Sequence, residues 1–179
     1  MIKQTGLALV IAYVLMAGTA TAAPAAKKTF PAPAKSASPH DIVAWLYAPY
    51  LADPHATDAV DTGSAIDRVH RFADAALRQG IDRDNSCMRR SQGICNLDFD
   101  VVINGQDWDL SDLRISDDAP AGDRQTVHAR FSNDHIPMDV AFSFVRVAGQ
   151  WRIHNLDDIQ HEPGKPVEHI DLLKLLNQP

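Results

Sequence analysis

The segment VHARFSNDHIPMDVAFSFVRVAGQWRI, residues 127–153, carries the clearest secondary-structure signal in the chain. Apolar residues occupy every second position in two parts of it: Val127, Ala129 and Phe131, then Met138, Val140, Phe142 and Phe144. This period of two predicts two strands that each bury one face. Ala148-Gly149 makes a short turn into residues 150–153, so we expect the last two strands to pair as an antiparallel hairpin.

Helices are predicted on both sides of this segment. Ser38-Pro39-His40-Asp41 supplies a capping hydroxyl, a proline suited to the first helical position and an acid, and this helix should end or kink near Pro49. A second helix should begin after Ser64 and stop at Gly80, and Pro166 should open a C-terminal helix. The three apolar stripes are Ile42, Leu46 and Tyr50, then Ile66, Val69, Phe72, Ala76 and Leu77, and last Ile170, Leu172, Leu173, Leu175 and Leu176.

The order of these elements predicts the fold class. Leu113 and Ile115 alternate with polar neighbours and add a strand before the hairpin. Helices first and an antiparallel meander afterwards indicate an α+β domain with a C-terminal helix. Residues 39–179 contain no repeat and no second linker, and their length is typical of a single domain.

The N-terminus has the organisation of a secretory signal. Lys3 precedes the apolar residues 6–17, and small residues follow up to Ala20-Thr21-Ala22, which fits an A-x-A cleavage site. An uncleaved anchor is the alternative, but a membrane span needs ~20 strongly apolar residues and this run weakens from Gly18. We predict a signal peptide at residues 1–22, a mature chain from Ala23 that is not stably inserted in a membrane, and a periplasmic or secreted location.

Residues 23–38, APAAKKTFPAPAKSAS, have the Ala- and Pro-rich composition of a flexible linker. The formal net charge is −6, and loss of Lys3 with the signal gives −6 − 1 = −7. Repulsion from phosphates therefore disfavours nucleic acid as a partner. The partner is expected to be a small molecule or a protein of unknown identity.

Cys87 and Cys95 are the two cysteines of the chain, in the polar segment SCMRRSQGIC. In an exported protein this pair predicts a structural disulfide that closes a surface loop. A redox or metal pair is the alternative, but the spacing is neither C-x-x-C nor that of a zinc knuckle.

The segment LDFDVVINGQDWDL, residues 97–110, is here called the acidic segment. Asp98 and Asp100 would share one face if the chain is extended there, with Phe99 on the other face. Two close carboxylates cannot both ionise freely, so one would have a raised pKa and could act as a general acid or base. Asp98 and Asp100 are therefore the candidate catalytic residues.

Two other interpretations of the acidic segment remain open. As a binding rim it would combine with the tyrosines of the first helix, giving the candidate binding residues Tyr47, Tyr50, Asp100, Gln106, Asp107 and Trp108. As structure, Asp100, Gln106 and Asp107 would fix the turn around Asn104-Gly105 that leads Trp108 into the sheet, through side-chain to backbone hydrogen bonds.

The remaining polar residues predict neither a metal nor a cofactor. His154, His161 and His169 lack the spacing of zinc ligands. His128 and Arg130 fall on the polar face of a strand, where we expect them to be solvated. No nucleophile elbow, phosphate-binding loop or dinucleotide glycine fingerprint is present in the sequence.

Four parts of the sequence resemble the bacterial exported proteins grouped as domain-of-unknown-function family 3828: YAPY at residues 47–50, LDFD at 97–100, QDWDL at 106–110 and GQWRIHNLDDI at 149–159. That family is similar in fold to the nuclear transport factor 2 superfamily, a curved sheet wrapped around helices to form a cone with a pocket. Val101 stands where the family commonly has Pro, and His154 near a position where it has Asp. The resemblance implies a cone-shaped pocket and a location in the cell envelope.

These features together predict an exported binding or interaction protein with a pocket for an unknown ligand. One alternative is a cofactor-independent acid–base enzyme of the isomerase or dehydratase type. Another is an inhibitor or immunity protein against a secreted enzyme, in which the leucine-rich C-terminal helix would supply an apolar contact.

Overall fold

The structure is a computed structural model that describes residues 29–55, 64–160 and 164–178. The predicted signal peptide and the first part of the predicted linker lie outside these residues. The helices and strands, in chain order, are α1 Pro39–Ala52, α2 Ala65–Phe72, α3 Ala75–Ser91, β1 Leu110–Asp117, β2 Arg124–Asn133, β3 Ile136–Val147, β4 Gln150–Gln160, β5 Glu168–Asp171 and α4 Leu172–Leu175.

The five strands form one antiparallel sheet in the order β1-β2-β3-β4-β5, so the predicted α+β class is confirmed. Val127 of β2 pairs with Phe142 of β3, and Ala129 pairs with Val140, as the period of two predicts. The β3–β4 hairpin is also confirmed. Its turn residues Ala148 and Gly149 both have positive φ, at 48° and 77°, and the second of these positions suits a residue without a Cβ.

The predicted C-terminal helix is wrong over most of its length. β4 extends to Gln160, and its free edge pairs with β5, so residues 168–171 are a strand. Only Leu172–Leu175 are helical, and the Asp171 carboxylate caps this turn by accepting from the Lys174 backbone N–H at 2.9 Å. Leu172 and Leu176 are buried in the core.

The predicted start of α1 is confirmed by its capping box. The Ser38 hydroxyl accepts from the Asp41 backbone N–H at 3.1 Å, and the Asp41 carboxylate accepts from the Ser38 backbone N–H at 3.3 Å. Pro49 does not end the helix, which continues to Ala52. α1 packs against β1 and β2 and buries Tyr47, whose ring meets Phe131 and Phe142 edge to face.

The predicted second helix is divided in two. Ala73 is extended and forms a parallel bridge with Ile153 of β4, and the Asp74 backbone N–H donates to the Ile153 carbonyl at 2.8 Å. Asp74 then caps α3 by accepting from the Leu77 backbone N–H at 2.9 Å, whereas Ser64 makes no side-chain cap. Long-range pairing with β4 therefore overrides the continuous apolar stripe.

Gly80 does not stop a helix, because α3 continues to Ser91. Its role is close packing: a Cβ at Gly80 would lie 3.1 Å from the Cβ of Leu176. The absence of a side chain at this position lets the C-terminal turn sit directly on α3.

Candidate functional site

Residues 97–109 of the acidic segment form no strand, so Asp98 and Asp100 lack the extended conformation on which their predicted alternation with Phe99 depended. Asp100 and Gly105 exchange backbone hydrogen bonds of 2.9 and 3.4 Å and close a short turn between them. The turn places Val101, Val102 and Ile103 in the core. These three buried apolar residues therefore anchor the segment in the core. The many aspartates of the segment gave no indication of this role in the sequence.

The Asp100 carboxylate holds this turn together. It accepts from the Val102 backbone N–H at 2.9 Å, which is the side-chain to backbone bond of an Asx turn. The Tyr47 hydroxyl donates to the Val102 carbonyl at 2.6 Å. Asp100 thus has the structural role considered for it, and Tyr47 serves the core.

Tyr50 connects Asp100 to a buried arginine. The Tyr50 hydroxyl donates to Asp100 Oδ2, and Arg68 Nη2 donates to the Tyr50 oxygen at 2.9 Å. The Arg68 guanidinium also lies 5.4 Å from the centre of the Tyr50 ring. Burial raises the pKa of Asp100, while the bonds from Tyr50 and Val102 oppose that change.

The pKa of Tyr50 lies well above its usual range, because the phenol is buried and the Asp100 charge opposes a second negative charge. Tyr50 therefore remains a hydrogen-bond donor across the physiological pH range. Asp100 takes up a proton more readily than an aspartate on the surface.

A cleft with a volume of about 400 Å³ lies between the start of α2, one side of α3 and the acidic segment. Its acidic residues are Asp84, Asp98 and Asp100, and its apolar wall consists of Ile66, Met88, Leu97 and Phe99. Among the described residues that line it there is no Lys, Arg or His. We call this cavity the acidic cleft.

Asp84 is the residue of the acidic cleft that the sequence analysis missed. It lies on α3 with only 2% of its surface exposed, and its Oδ1 accepts from the Asn96 backbone N–H at 2.8 Å. Its Oδ2 has no hydrogen-bond partner within the described part of the chain. The signal was present in the spacing, since Leu77, Ile81 and Asp84 follow one another at i, i+4 and i+7 and form one buried stripe.

The predicted binding residues divide between the cleft and its surroundings. Gln106 lines the acidic cleft and donates from Nε2 to the Asp98 carbonyl at 3.2 Å. Trp108 Nε1 donates to the Asp53 carbonyl at 2.7 Å. The Trp108 ring packs edge to face against Tyr50, with 5.3 Å between the two ring centres. Neither Trp108 nor the two tyrosines line the cleft.

Asp107 does not hold the turn as the structural interpretation predicts. Its side chain is exposed, and its carboxylate has no hydrogen-bond partner among the described residues. Asp100 holds the turn, and the residues after it are held by Asn133, whose Oδ1 accepts from the Asp109 backbone N–H at 2.9 Å. Gly105 permits this close approach, since a Cβ there would lie 3.1 Å from Asn133 Nδ2.

Cys87 and Cys95 form the predicted disulfide. The bridge does not lie within a free surface loop, because Cys87 belongs to α3. It joins the last turns of α3 to the residues that lead into the acidic segment. Two walls of the acidic cleft are thereby linked covalently.

A second buried acid, Asp158, lies in β4 with 4% of its surface exposed. It pairs with Val140 and so shares the core face of the sheet. Neither of its oxygens has a hydrogen-bond partner among the residues that the structure describes. Burial, with a further contribution from the Asp139 charge, raises the pKa of Asp158 to about 7.

His128 and Arg130 lie on the polar face of β2, where Arg130 is exposed as predicted, but both side chains also pair with Asp139. His128 Nδ1 lies 2.8 Å from Asp139 Oδ1, and Arg130 Nε donates to Asp139 Oδ2 at 2.8 Å. His154 contacts Asp74 at 2.7 Å, and His161 lies outside the described residues. In residues 29–55, 64–160 and 164–178 no three potential ligands are grouped to hold a metal ion.

No helix in the described ranges has the length and apolar character needed to cross a membrane. The acidic cleft brings the buried Asp84 together with Asp98, Asp100 and Gln106, which the sequence predicts as site residues. Comparison of this chain with protein families, with curated proteins and with solved structures finds no match.

Proposed function

We propose that this protein is an exported binding protein whose site for a small ligand is the acidic cleft. The observation that carries the proposal is the composition of that cleft, in which three aspartates and an apolar wall line a cavity of about 400 Å³. A concave, partly apolar site with a few convergent polar groups is typical of small-molecule binding. Binding a small ligand requires only polar and apolar contacts, and the residues that line the cleft supply both.

The disulfide supports the proposed export. Structural disulfides persist in oxidising compartments, and Cys87–Cys95 joins two segments of the domain. The proposal therefore includes a signal peptide at residues 1–22, a mature start at Ala23 and a periplasmic or secreted location. Mass spectrometry of the protein from the cell envelope should find Ala23 at the amino terminus, and an intact Met1 would contradict export.

We also propose kinship with the exported family 3828 and a cone-like fold of the nuclear transport factor 2 type. The support consists of the four sequence segments given above, the order of helices before a meander, and the packing of α1 on β1 and β2. In this proposal the acidic cleft is the ligand entrance of the cone.

A second candidate is an acid–base enzyme, and one observation favours it. Asp100 lines the cleft, its pKa is raised by burial, and Tyr50 donates to it. An acid whose pKa is raised in this way is better suited than a surface aspartate to exchange a proton with a bound substrate. Turnover of a captured ligand that Asp100→Asn abolishes while capture persists would favour the enzyme over the binding protein.

The inhibitor alternative has less support in the C-terminal region. The predicted apolar helix is a single turn, and its Leu172 and Leu176 are buried. These leucines therefore do not offer the apolar contact surface on which that alternative relied.

Native mass spectrometry of the protein as recovered from its own cells tests the binding function. We expect a bound small molecule, and we expect Met88→Trp to abolish its capture because the larger side chain fills the cleft. Arg89→Trp is the matched control, since Arg89 is exposed on the same helix and does not line the cleft. Equal capture by the two variants would rule out the acidic cleft as the site.

A further inference from the structure

We infer that the ligand of the acidic cleft is an organic cation, an ammonium or guanidinium group on an apolar body. This inference rests on the proposed binding function and specifies its ligand class. It is carried by Asp84, by the charges that line the cleft and by its apolar wall.

The charge of the cleft is of one sign. Asp84, Asp98 and Asp100 line it, and its described lining contains no basic side chain. Asp100 is already engaged with Tyr50 and Val102, so Asp84 and Asp98 are the carboxylates left to meet a ligand. A lining of this sign attracts a cation and repels an anion.

Asp84 supplies an independent indication of a missing partner. A buried acceptor without a hydrogen bond costs stability, and native structures satisfy most such groups. Asp84 Oδ1 is satisfied by the Asn96 backbone N–H, but Oδ2 has no partner although the residue is 98% buried, as follows from its 2% exposure. A cationic N–H donor in the cleft would complete the bonding of this carboxylate.

Asp84 also borders a second cleft, beside the disulfide, but that cleft is lined by Arg83 and Arg90. Basic side chains there compensate the acids, so a cation is not favoured on that side. The cationic ligand is therefore assigned to the cleft between α2, α3 and the acidic segment.

The arrangement suits an organic cation better than a metal ion. The carboxylates of the described residues are not grouped closely enough to ligate one ion. The apolar wall formed by Ile66, Met88, Leu97 and Phe99 requires a ligand with an apolar body. Phe99 also offers an aromatic ring to a cation.

Isothermal titration calorimetry of the oxidised protein tests the ligand class. The probes are cadaverine, a linear diamine, and agmatine, which adds a guanidinium group. Pentanediol and glutarate are the neutral and anionic analogues of cadaverine. We expect at least one cation to bind and both analogues to fail.

Three variants locate the contact. Asp84→Asn keeps an oxygen for the Asn96 N–H and should fold, with affinity for the cation lowered about tenfold or more. Asp98→Asn, at an exposed position, should also weaken binding without affecting folding. Asp82→Asn is the matched control: Asp82 is on α3 outside this cleft, and its removal should change affinity less than about twofold because exposed charges are screened.

The outcomes separate the two proposals. If Met88→Trp blocks capture of a neutral or anionic ligand and neither cation binds, the cationic class is wrong while the binding function stands. If a cation binds equally to the wild type, Asp84→Asn and Asp98→Asn, the assignment to these carboxylates is overturned. If no ligand of any charge shows capture that depends on Met88, the binding function itself fails.

Discussion

On the outer face of the sheet Asp139 meets His128 and Arg130, whereas Asp158 and Asp84, on the side of the helices, keep oxygens without partners among the described residues. Aspartate side chains therefore have opposite effects on stability in two regions of the molecule. Asp139 is paired with both of its neighbours, so keeping this acid in the fold costs little stability. The acids without a full set of partners oppose folding, and they mark the places where a proton or a ligand would stabilise the protein.

The largest effect should come from Asp158. Its pKa is about 7 in the fold against an ordinary 3.8, so between these values the folded state keeps a proton that the unfolded chain releases. This contribution to stability is present below the ordinary pKa and is lost as the pH rises to about 7. Two groups interact with Asp158: the Asp139 carboxylate and the Tyr47 phenol, whose pKa is raised by burial and then by the charge of Asp158.

Urea unfolding at pH 5 and pH 8 measures this loss. The wild type should lose about 2.5 kcal/mol of unfolding free energy through Asp158 over this range, and Asp158→Asn should not show this loss. Asp123→Asn, an exposed residue in the turn before β2, should keep the wild-type dependence. An unchanged pH dependence in Asp158→Asn would mean that the core acid is compensated after all.

Removal of a hydroxyl that serves two charged partners should have the next largest effect. Tyr50→Phe takes a donor from Asp100 and an acceptor from Arg68, so we expect a loss of about 2 kcal/mol. Tyr47→Phe removes only the bond to the Val102 carbonyl and should cost about 1 kcal/mol. Equal losses in chemical denaturation would show that the link from Arg68 to Asp100 adds nothing to stability.

The paired region should respond more weakly. His128→Ala leaves Asp139 with its bond to Arg130, and these side chains are partly solvated, so the loss should stay below about 1 kcal/mol. Thermal melts at pH 6 compared with Arg130→Ala measure it. A loss larger than that of Tyr50→Phe would reverse the contrast between the two regions.

The smallest effect is expected at Asp107. Its carboxylate is exposed and has no partner among the described residues, so Asp107→Asn should change stability by less than about 0.5 kcal/mol. Asp100→Asn, at the turn that Asp100 bonds, should cost about 1 kcal/mol. A destabilised Asp107→Asn protein in the same melts would restore the turn-fixing role expected from the sequence.

The sheet could be predicted because its signal is local. Val127, Phe131 and Phe142 each show their burial through the spacing of their near neighbours. The break at Ala73 could not, because it depends on pairing with Ile153, eighty residues away in the chain. β5 replaced the predicted helix for a similar reason, since the free edge of β4 supplied hydrogen bonds that the apolar periodicity of residues 170–176 does not report.

Only some residues of the candidate site could be predicted from the sequence. Asp98, Asp100 and Gln106 were found because they are concentrated in one segment, and the structure brings them to one cleft. Asp84 and Asp158 were missed because each is a single acid placed where the pattern calls for an apolar residue. In a single sequence, one polar residue within an apolar, buried pattern is weak evidence of a functional site. It is nevertheless the feature that Asp84 and Asp158 share.

The disulfide between Cys87 and Cys95 affects when the acidic cleft is completed after synthesis of the chain. Asn96, which follows Cys95, donates its N–H to Asp84, so the bridge fixes the partner that orients this acid. In a newly made, reduced chain that constraint is missing, and the cleft would be completed only after oxidation. Under the proposed export and binding function, the protein would then bind its ligand only after it reaches an oxidising compartment. Undiminished cadaverine binding in reductant would argue against such a delay.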